Sequence, residues 1–338
     1  MISQCSHGVK EGDLCSYCLK ASKSVQPVWR RLDQILRHSG YARSAEWPEC
    51  TIESEHGLYQ VEQVRVGDTE TIQAVQELLE QTFGKEEVDP VSVLVAAIEG
   101  TLRDGTQDIA RYRLYTARDS GGKIQSVYAG GLIQMLDDSR SPIGEVMFMG
   151  AYGVTRPESR RRGLVRELYA SSIMRAAADA QSQSKRFTII AGEATSAAEL
   201  AWNAVGRRRV YTEVTADEYH ELEYLQPPLD FDSLTGLPAE GAGTVPEHLM
   251  VEFLDGGPDK ARLIGAVDGI YRWCNVQPRS AFLTDEGYNT HIRYIADGQT
   301  RINDTIYHSK SLLLLSATQR EERRRKGIKI CDHIDADH

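Results

Sequence analysis

The residues best suited to chemistry form a basic loop, from Arg156 to Arg162, that Gly163 joins to a predicted helix. The first backbone N–H groups of a helix are unpaired, and its N-terminus carries a partial positive charge. A loop that adds cationic side chains to these amides can bind a phosphate or pyrophosphate, and a glycine lets the phosphate approach the backbone. The alternative interpretation is a solvated arginine-rich loop, because short phosphate-binding patterns also occur by chance.

A second candidate site is a cluster of metal-ligating residues near the N-terminus. Its members are Cys5, His7, Cys15 and Cys18. Three thiolates and one imidazole suit a tetrahedral structural zinc ion, and the last two cysteines have the spacing of a zinc knuckle. Because a single residue separates the first cysteine from the histidine, Cys331 or His333 is an alternative fourth ligand. Free thiols are the other interpretation of the cluster.

The segment before the basic loop has the hydrophobic pattern of two helices and four strands. Helices are expected to begin at Asp68 or Thr69 and again after Pro90, and strands are expected at 58–66, 110–118, 125–135 and 144–155. The element order up to the loop is therefore βααβββ. The last of these strands leads directly into the basic loop.

The segment after the basic loop begins with a long helix near Gly163. The expected elements that follow are a buried strand at 187–191, a helix at 196–205, a strand pair at 219–225 and 248–254, and a helix from Pro258. The remainder is polar, with one apolar cluster at Leu312–Leu315. This order predicts an α/β fold with a mixed sheet and flanking helices.

The strand, loop and helix around Gly163 resemble the GCN5-related N-acetyltransferase superfamily. The central motif of that superfamily is Arg or Gln, two residues, Gly, one residue, then Gly or Ala, preceded by Pro and an aliphatic strand. The matching run here extends from Pro157 to Val165, with Val154 on the preceding strand. Val165 replaces the last small residue of the motif, which narrows the room beside a pyrophosphate.

A second block, from Thr195 to Gly206, resembles the helix that follows the next strand in the same superfamily. Thr195 stands where Asn is usual, and Trp202 stands where Tyr is usual. In the family that tyrosine is often the acid that reprotonates the coenzyme thiolate. An indole has no proton to transfer at working pH, so Tyr211 or Tyr219 is the expected substitute.

The resemblance covers residues 58–254 and implies an acyl-coenzyme A donor, acetyl-coenzyme A or another acyl thioester, with direct attack by an amine. It implies coenzyme-binding residues in both blocks. These are Val154, Arg160, Arg161, Arg162, Gly163, Leu164, Val165 and Thr195.

Direct attack requires a base, because an alkylammonium ion with a pKa of about 10 is mostly unreactive at neutral pH. Glu145, which opens the strand before the loop, is the first candidate for this base, acting directly or through water. Glu193, just past the following strand, is the second. The alternative for Glu145 is an ordinary charge at the start of a strand.

Composition excludes several other classes of protein. The chain has 338 residues and a formal net charge of −10, which disfavours broad adhesion to nucleic acid or anionic lipid. No apolar run is long enough for a membrane helix, and the first twenty residues lack the apolar middle of a secretion signal. A cytoplasmic protein without membrane contact is expected.

A run of three arginines, Arg207, Arg208 and Arg209, follows the second block. Cations at the end of a helix interact favourably with its dipole, so helix capping is one interpretation. The other is a docking site for coenzyme phosphate, a carrier protein or tRNA.

Three domains are predicted: a cysteine-rich, metal-binding extension at 1–52, an acyltransferase-like domain at 53–257, and a helical addition at 258–338. The predicted function is transfer of an acyl group from coenzyme A to an amine of a small molecule. One alternative keeps catalysis but takes the group from a carrier protein or an aminoacyl-tRNA. The other is a catalytically silent adaptor with a zinc-binding end.

Overall fold

A computed structural model describes residues 42–43, 50–54, 57–100, 110–137, 141–195, 198–242, 245–275, 280 and 282–333. The described residues form two compact units. The first unit comprises those within 1–100, 110–132 and 144–188, and the second comprises those within 133–143 and 189–338. The predicted domain boundaries at residues 52 and 257 stay predictions.

The strands of the first unit follow one another in chain order across its sheet. They are β1 (Ala42–Arg43), β2 (Cys50–Ser54), β3 (Gly57–Gln63), β4 (Ala110–Asp119), β5 (Ile124–Leu136) and β6 (Pro142–Thr155). β3 is antiparallel to both neighbours, and Val61 faces Cys50 on one side and Ala117 on the other. Every residue of β5 is buried, so this strand is covered on both faces. The last residues of β5 and the first of β6 belong to the second unit.

The helices of the first unit are α1 (Thr69–Phe83), α2 (Val91–Glu99) and α3 (Leu164–Ser182). Asp68 caps α1, because its Oδ1 accepts a hydrogen bond from the backbone N–H of Thr71 at 3.1 Å. The predicted apolar face of α1 is buried through Ile72, Val75, Leu78 and Leu79. α2 begins directly after Pro90. The expected helix starts at Asp68, Pro90 and Gly163 are therefore confirmed.

The main part of the second unit starts within β7 and continues through a set of short strands. Its elements up to residue 253 are β7 (Arg186–Ala194), α4 (Glu199–Ala204), β8 (Arg208–Thr215), β9 (Glu218–Glu221), β10 (Tyr224–Gln226) and β11 (Val245–Phe253). β11 is antiparallel to β7, β8 and β10. The strand expected at 219–225 is thus two strands, and β8 was not predicted, because its first residues are arginines.

The C-terminal part of the second unit contains strands as well as helices. Its elements are α5 (Lys260–Asn275), α6 (Asp285–His308), β12 (Leu312–Leu315), α7 (Ala317–Arg325) and β13 (Lys329–Cys331). β12 pairs with β8 in antiparallel orientation, whereas β13 pairs with β9 in parallel. The sequence predicted helices here and left Leu312–Leu315 unassigned, since four consecutive leucines have neither helical nor strand periodicity. The predicted α/β fold with a mixed sheet and flanking helices is confirmed.

Candidate functional site

The basic loop connects β6 to α3 by way of a short 3₁₀ turn, Pro157–Ser159. Gly163 is the N-cap of α3, with φ of 77° and ψ of 6°, and no side chain caps the helix there. Arg161 is also left-handed, with φ of 64°. Since the first amides of a helix have no carbonyl partner within the helix, they are available to a ligand at this end of α3.

Hydrogen bonds to neighbouring strands hold the loop in place. Ser159 Oγ donates to Gln125 Oε1 at 2.8 Å, and Arg156 Nε donates to the carbonyl of Ile124 at 2.7 Å. Both acceptors lie at the start of β5. The loop is therefore fixed on the first unit before any ligand binds, which lowers the entropy cost of binding.

The three predicted phosphate-binding arginines have different surroundings. Arg162 donates to the hydroxyl of Tyr59 at 2.6 Å and to the carbonyl of Glu158 at 2.9 Å, so its guanidinium holds the loop. Arg160 is exposed, and its Nε lies 3.3 Å from the carbonyl of Thr155. Arg161 is exposed beside the helix N-terminus. Arg160 and Arg161 are therefore the two that can reach an anion.

Val165, the departure from the motif, is accommodated by a glycine on β6. A Cβ atom built on Gly153 would lie 3.2 Å from Val165 Cγ2 and 3.3 Å from Tyr128 Cδ2. The missing side chain at Gly153 thus leaves room for the branched side chain of Val165. Val154 and Leu164 are buried in the core of the first unit, so only their backbone atoms are available to a ligand.

Glu145 lies in the first unit, with a side chain that is 12% exposed. Its Oε1 accepts from Arg186, and its Oε2 accepts from Thr188 Oγ1 at 3.1 Å. Both oxygens therefore have protein partners. The role of Glu145 as general base stays a prediction.

Glu193 lies near the end of β7 in the second unit, where its Oε1 accepts a hydrogen bond from the hydroxyl of Tyr224. Tyr224 is fully buried, and its ring packs edge-on against Tyr271 with 5.9 Å between centroids. Sequence reasoning identified Glu193 but missed both tyrosines. The sequence around Tyr224, in the three-residue strand β10, does not indicate that its hydroxyl binds a carboxylate 31 residues away.

Tyr211, expected as a substitute acid, is fully buried on β8 and donates a hydrogen bond to Asp332 Oδ1. Burial, the nearby charge of Glu221 and this bond raise the pKa of Tyr211. A raised pKa makes the phenol a weaker acid, and its ring packs with Leu315 and Ile330. These surroundings favour a structural role. Thr195, in the same unit, is exposed just after β7, and its role in coenzyme binding stays a prediction.

The predicted docking triplet is largely inaccessible. Arg207 is fully buried and stacks over Trp202, 4.3 Å from the ring centroid. Arg208 Nη1 donates to the carbonyls of Asn203 and Arg207, both at 2.8 Å. Since Asn203 is in the last turn of α4, this bond agrees with the helix-capping interpretation.

Arg209, the third member, belongs to a buried charge network in the second unit. It donates to Glu199 Oε2 at 2.5 Å and to Glu221 Oε2 at 3.2 Å. Arg320 of α7 binds both oxygens of Glu199, with Nη2 2.9 Å from Oε2. His248 Nδ1 lies 2.6 Å from Glu221 Oε1. Arg209 is therefore engaged with protein carboxylates and not with an external partner.

The predicted zinc ligands Cys5, His7, Cys15 and Cys18 lie outside the described residues, so zinc binding at the N-terminus stays a prediction. Cys331, the alternative ligand, is a free cysteine on β13. Its sulfur and ligand atoms of Glu218 and His220 lie within 4.8 Å of one another. Lys329 Nζ occupies the same carboxylate of Glu218 at 2.6 Å, which disfavours a cation there.

None of the helices described here is both long and apolar enough to cross a membrane.

No protein-family model matches the chain, and no curated protein matches it either. Among solved structures, the chain is similar to the glucosamine N-acetyltransferase region of a fungal multi-domain GH3 β-N-acetylglucosaminidase. The identity is 14% over 48% of this chain and 18% of that one, with a TM-score of 0.33.

Two further structures show the same level of similarity. A tandem GNAT protein from the clavulanic acid biosynthesis pathway is 16% identical over 46% of each chain, with a TM-score of 0.32. An aminoglycoside acetyltransferase from an uncultured soil metagenomic sample is 12% identical over 43% of this chain and 83% of that one, with a TM-score of 0.30. The chain thus spans less than half the length of the first two. Solved GCN5-related N-acetyltransferases are thus among the structures to which this chain is similar.

Proposed function

We propose that this protein is an N-acyltransferase that takes an acyl group from a coenzyme A thioester and transfers it to an amine of a small molecule. The observation that carries the proposal is the open N-terminus of α3. Gly163 and Arg161 are both left-handed there, and no side chain caps the helix. Such a helix end binds anions through its amides and its dipole.

The pyrophosphate of the coenzyme is held, in this proposal, by the backbone amides of Gly163, Leu164 and Val165. Arg160 and Arg161 are exposed next to these amides and supply positive charge. Arg162 acts indirectly, because it fixes the loop through Tyr59 and Glu158. Acyl-coenzyme A is thus the donor, and acetyl-coenzyme A is its simplest form.

The reaction consists of attack by the amine nitrogen on the thioester carbonyl. A C–N bond forms, the C–S bond breaks, and the coenzyme leaves as a thiolate that takes up a proton. The attacking amine loses one proton to a base. Glu145 is the first predicted carboxylate for that base and Glu193 is the second. Glu145 accepts hydrogen bonds from Arg186 and Thr188, and Glu193 accepts one from Tyr224.

Binding of coenzyme A, measured by isothermal titration calorimetry, tests the proposal. Arg161→Gly removes a guanidinium but keeps the left-handed backbone. Losing one charge-assisted contact of about 1.4 kcal/mol or more weakens binding about tenfold. The matched control is Ser184→Gly, an exposed left-handed residue (φ of 55°) beyond the other end of α3, which should leave affinity unchanged. Absence of binding at millimolar coenzyme A, or equal affinity in all three proteins, would reject the loop as the coenzyme site.

The alternative donors are a carrier protein or an aminoacyl-tRNA docked on Arg207, Arg208 and Arg209. These donors are not favoured, because Arg207 and Arg209 are buried. A tRNA donor would give binding that falls steeply with salt, because several phosphates would be neutralised. The silent adaptor is distinguished by turnover: it would bind partners but release no free thiol from acetyl-coenzyme A in the presence of any amine.

A further inference from the structure

A cavity of about 220 Å³ lies in the second unit between β10, α5 and α6. Its floor is apolar and buried, and includes Pro227, Tyr271 and Ile302. Its rim carries charged, exposed side chains, including Glu223 and Asp297. A concave apolar site with a few polar groups at its edge is the usual form of a small-molecule site. The two helices that line most of it, α5 and α6, lie beyond residues 58–254, the part of the chain that resembles acyltransferases.

The cavity is formed by side chains that are already fixed. The hydroxyl of Tyr271 donates to the carbonyl of Leu225 at 2.7 Å, and its ring packs edge-on against Tyr224. Asp268 of α5 accepts a hydrogen bond from Asn303 of α6 at 2.6 Å, which holds the two helices together. A site with fixed walls loses little conformational entropy when a ligand binds.

A glycine on α6 keeps the cavity open. A Cβ atom built on Gly298 would lie 3.5 Å from Tyr271 Cε1, which is ordinary van der Waals contact. An alanine therefore fits at this position, whereas a larger side chain would extend into the cavity. Gly298 thus offers a direct way to fill the cavity without changing its charges.

The charges around the cavity favour a cation. Glu223 and Asp297 supply two carboxylates at the rim, against one guanidinium from Arg301. Burial and the nearby charge of Glu193 raise the pKa of Tyr271, so this phenol stays neutral. Tyr271 and Tyr294 add aromatic side chains to the lining of the cavity.

We propose that this cavity binds a small organic ammonium ion with an apolar or aromatic body. The ammonium group lies at the rim between Glu223 and Asp297, and the body occupies the floor against Tyr271 and Ile302. Such a ligand is either an acceptor amine of the acyl transfer or a regulator. Both are organic ammonium ions, and the inference does not depend on the proposed acyltransferase activity.

Calorimetry on the full chain with three probes of similar size tests the charge requirement. The probes are phenethylammonium, phenethyl alcohol and phenylacetate. We expect the ammonium ion to bind, the alcohol to bind at least about tenfold more weakly because it lacks the charge-assisted contact, and phenylacetate to show no binding. Equal affinity for all three probes, or no binding of the ammonium ion at millimolar concentration, would overturn the proposal.

Variants locate the binding site. Gly298→Phe should abolish binding, and Gly298→Ala is its control with retained affinity. Glu223→Gln and Asp297→Asn should each weaken binding about tenfold, and the control is Asp304→Asn, which removes an exposed acid of the same helix away from the cavity. Unchanged binding in both carboxylate variants would overturn the proposal even if Gly298→Phe does not fold.

Addition of acetyl-coenzyme A to the bound probe separates the two sources of ligand. An acceptor becomes acetylated, which raises its mass and releases free thiol, and a regulator is recovered unchanged. These two results assign the role of the ligand, and the calorimetry with the variants decides whether the cavity binds it.

Discussion

Loss of Arg320 should destabilise the second unit far more than loss of a neighbouring surface cation. Arg320 and Glu199 are both buried, with side chains 8% and 5% exposed, and the guanidinium binds both carboxylate oxygens. Arg320→Met removes these bonds and leaves Glu199 with Arg209 as its remaining guanidinium partner. Breaking a buried pair by removing one partner costs about 3–5 kcal/mol. Because Arg209 still neutralises part of the charge of Glu199, we expect Arg320→Met to lower the free energy of unfolding by about 3 kcal/mol.

Urea unfolding followed by circular dichroism measures this loss. With a slope of about 3 kcal/mol per molar urea for a large unit, the midpoint should fall by about 1 M. The matched control is Lys326→Met at the C-cap of the same helix, which breaks an exposed pair between Lys326 and Glu322 with side chains 65% and 62% exposed. An exposed pair contributes at most about 1 kcal/mol. If both variants unfold at the same urea concentration, the buried network does not stabilise the unit and the reasoning is wrong.

The same network makes stability depend on pH. Burial acts to raise the pKa of Glu199, but the hydrogen bond from Arg320 and the charges of Arg209 and Arg320 outweigh it and hold the pKa below its usual value. A lowered folded-state pKa contributes stability above the unfolded-state pKa and loses it as the pH falls through the folded-state pKa. The parent protein should therefore lose stability on acidification below about pH 4. The difference between parent and Arg320→Met should shrink over the same range.

Three further outcomes are expected. Glu145→Gln should lower turnover of acetyl-coenzyme A with an amine by about 10²-fold or more at neutral pH, with donor affinity unchanged, if Glu145 is the base, and Glu193→Gln should do so if Glu193 is the base. Turnover equal to that of the parent in both variants, across the pH range, would reject both carboxylates. Gly130→Ala should lower the free energy of unfolding, measured in urea, by about 1–3 kcal/mol, since the new Cβ would lie 2.6 Å from the carbonyl oxygen of Met149. The control is Gly257→Ala, which should lower it much less because no heavy atom lies within 4 Å of its Cβ. Asp68→Ala should lower the free energy of unfolding by about 1 kcal/mol, because α1 loses its N-cap. An unchanged urea midpoint would show that the hydrogen bond from Thr71 to Asp68 contributes nothing to stability.

The features that sequence predicted correctly depend on neighbours in the chain. The residue directly before a helix was enough to predict where three helices begin. These residues are Asp68 before α1, Pro90 before α2 and Gly163 before α3. The strand predicted at 125–135 lies within β5, and the structure buries the whole of β5. Local periodicity and capping residues were sufficient for these elements.

The features that sequence did not predict depend on distant partners. Arg209 is buried because Glu199 and Glu221 meet it from other elements, and nothing within the arginine triplet indicates these partners. The hydrogen bond between Tyr224 and Glu193 joins residues 31 positions apart. β12 is a strand because β8 is beside it, since an apolar run of four is equally compatible with a buried helix turn.

Hydrogen exchange of the loop and the first turn of α3, with and without coenzyme A, tests the central claim most directly. In the proposed complex the amides of Gly163, Leu164 and Val165 bind the pyrophosphate, and an amide engaged by a ligand exchanges more slowly. A ligand at 100 times its dissociation constant adds about 2.7 kcal/mol to stability, or about a hundredfold in protection. We predict slowed exchange in peptides that span 156–168 and no change in peptides that span α7. Saturating coenzyme A that leaves exchange at 156–168 unaltered would contradict the account.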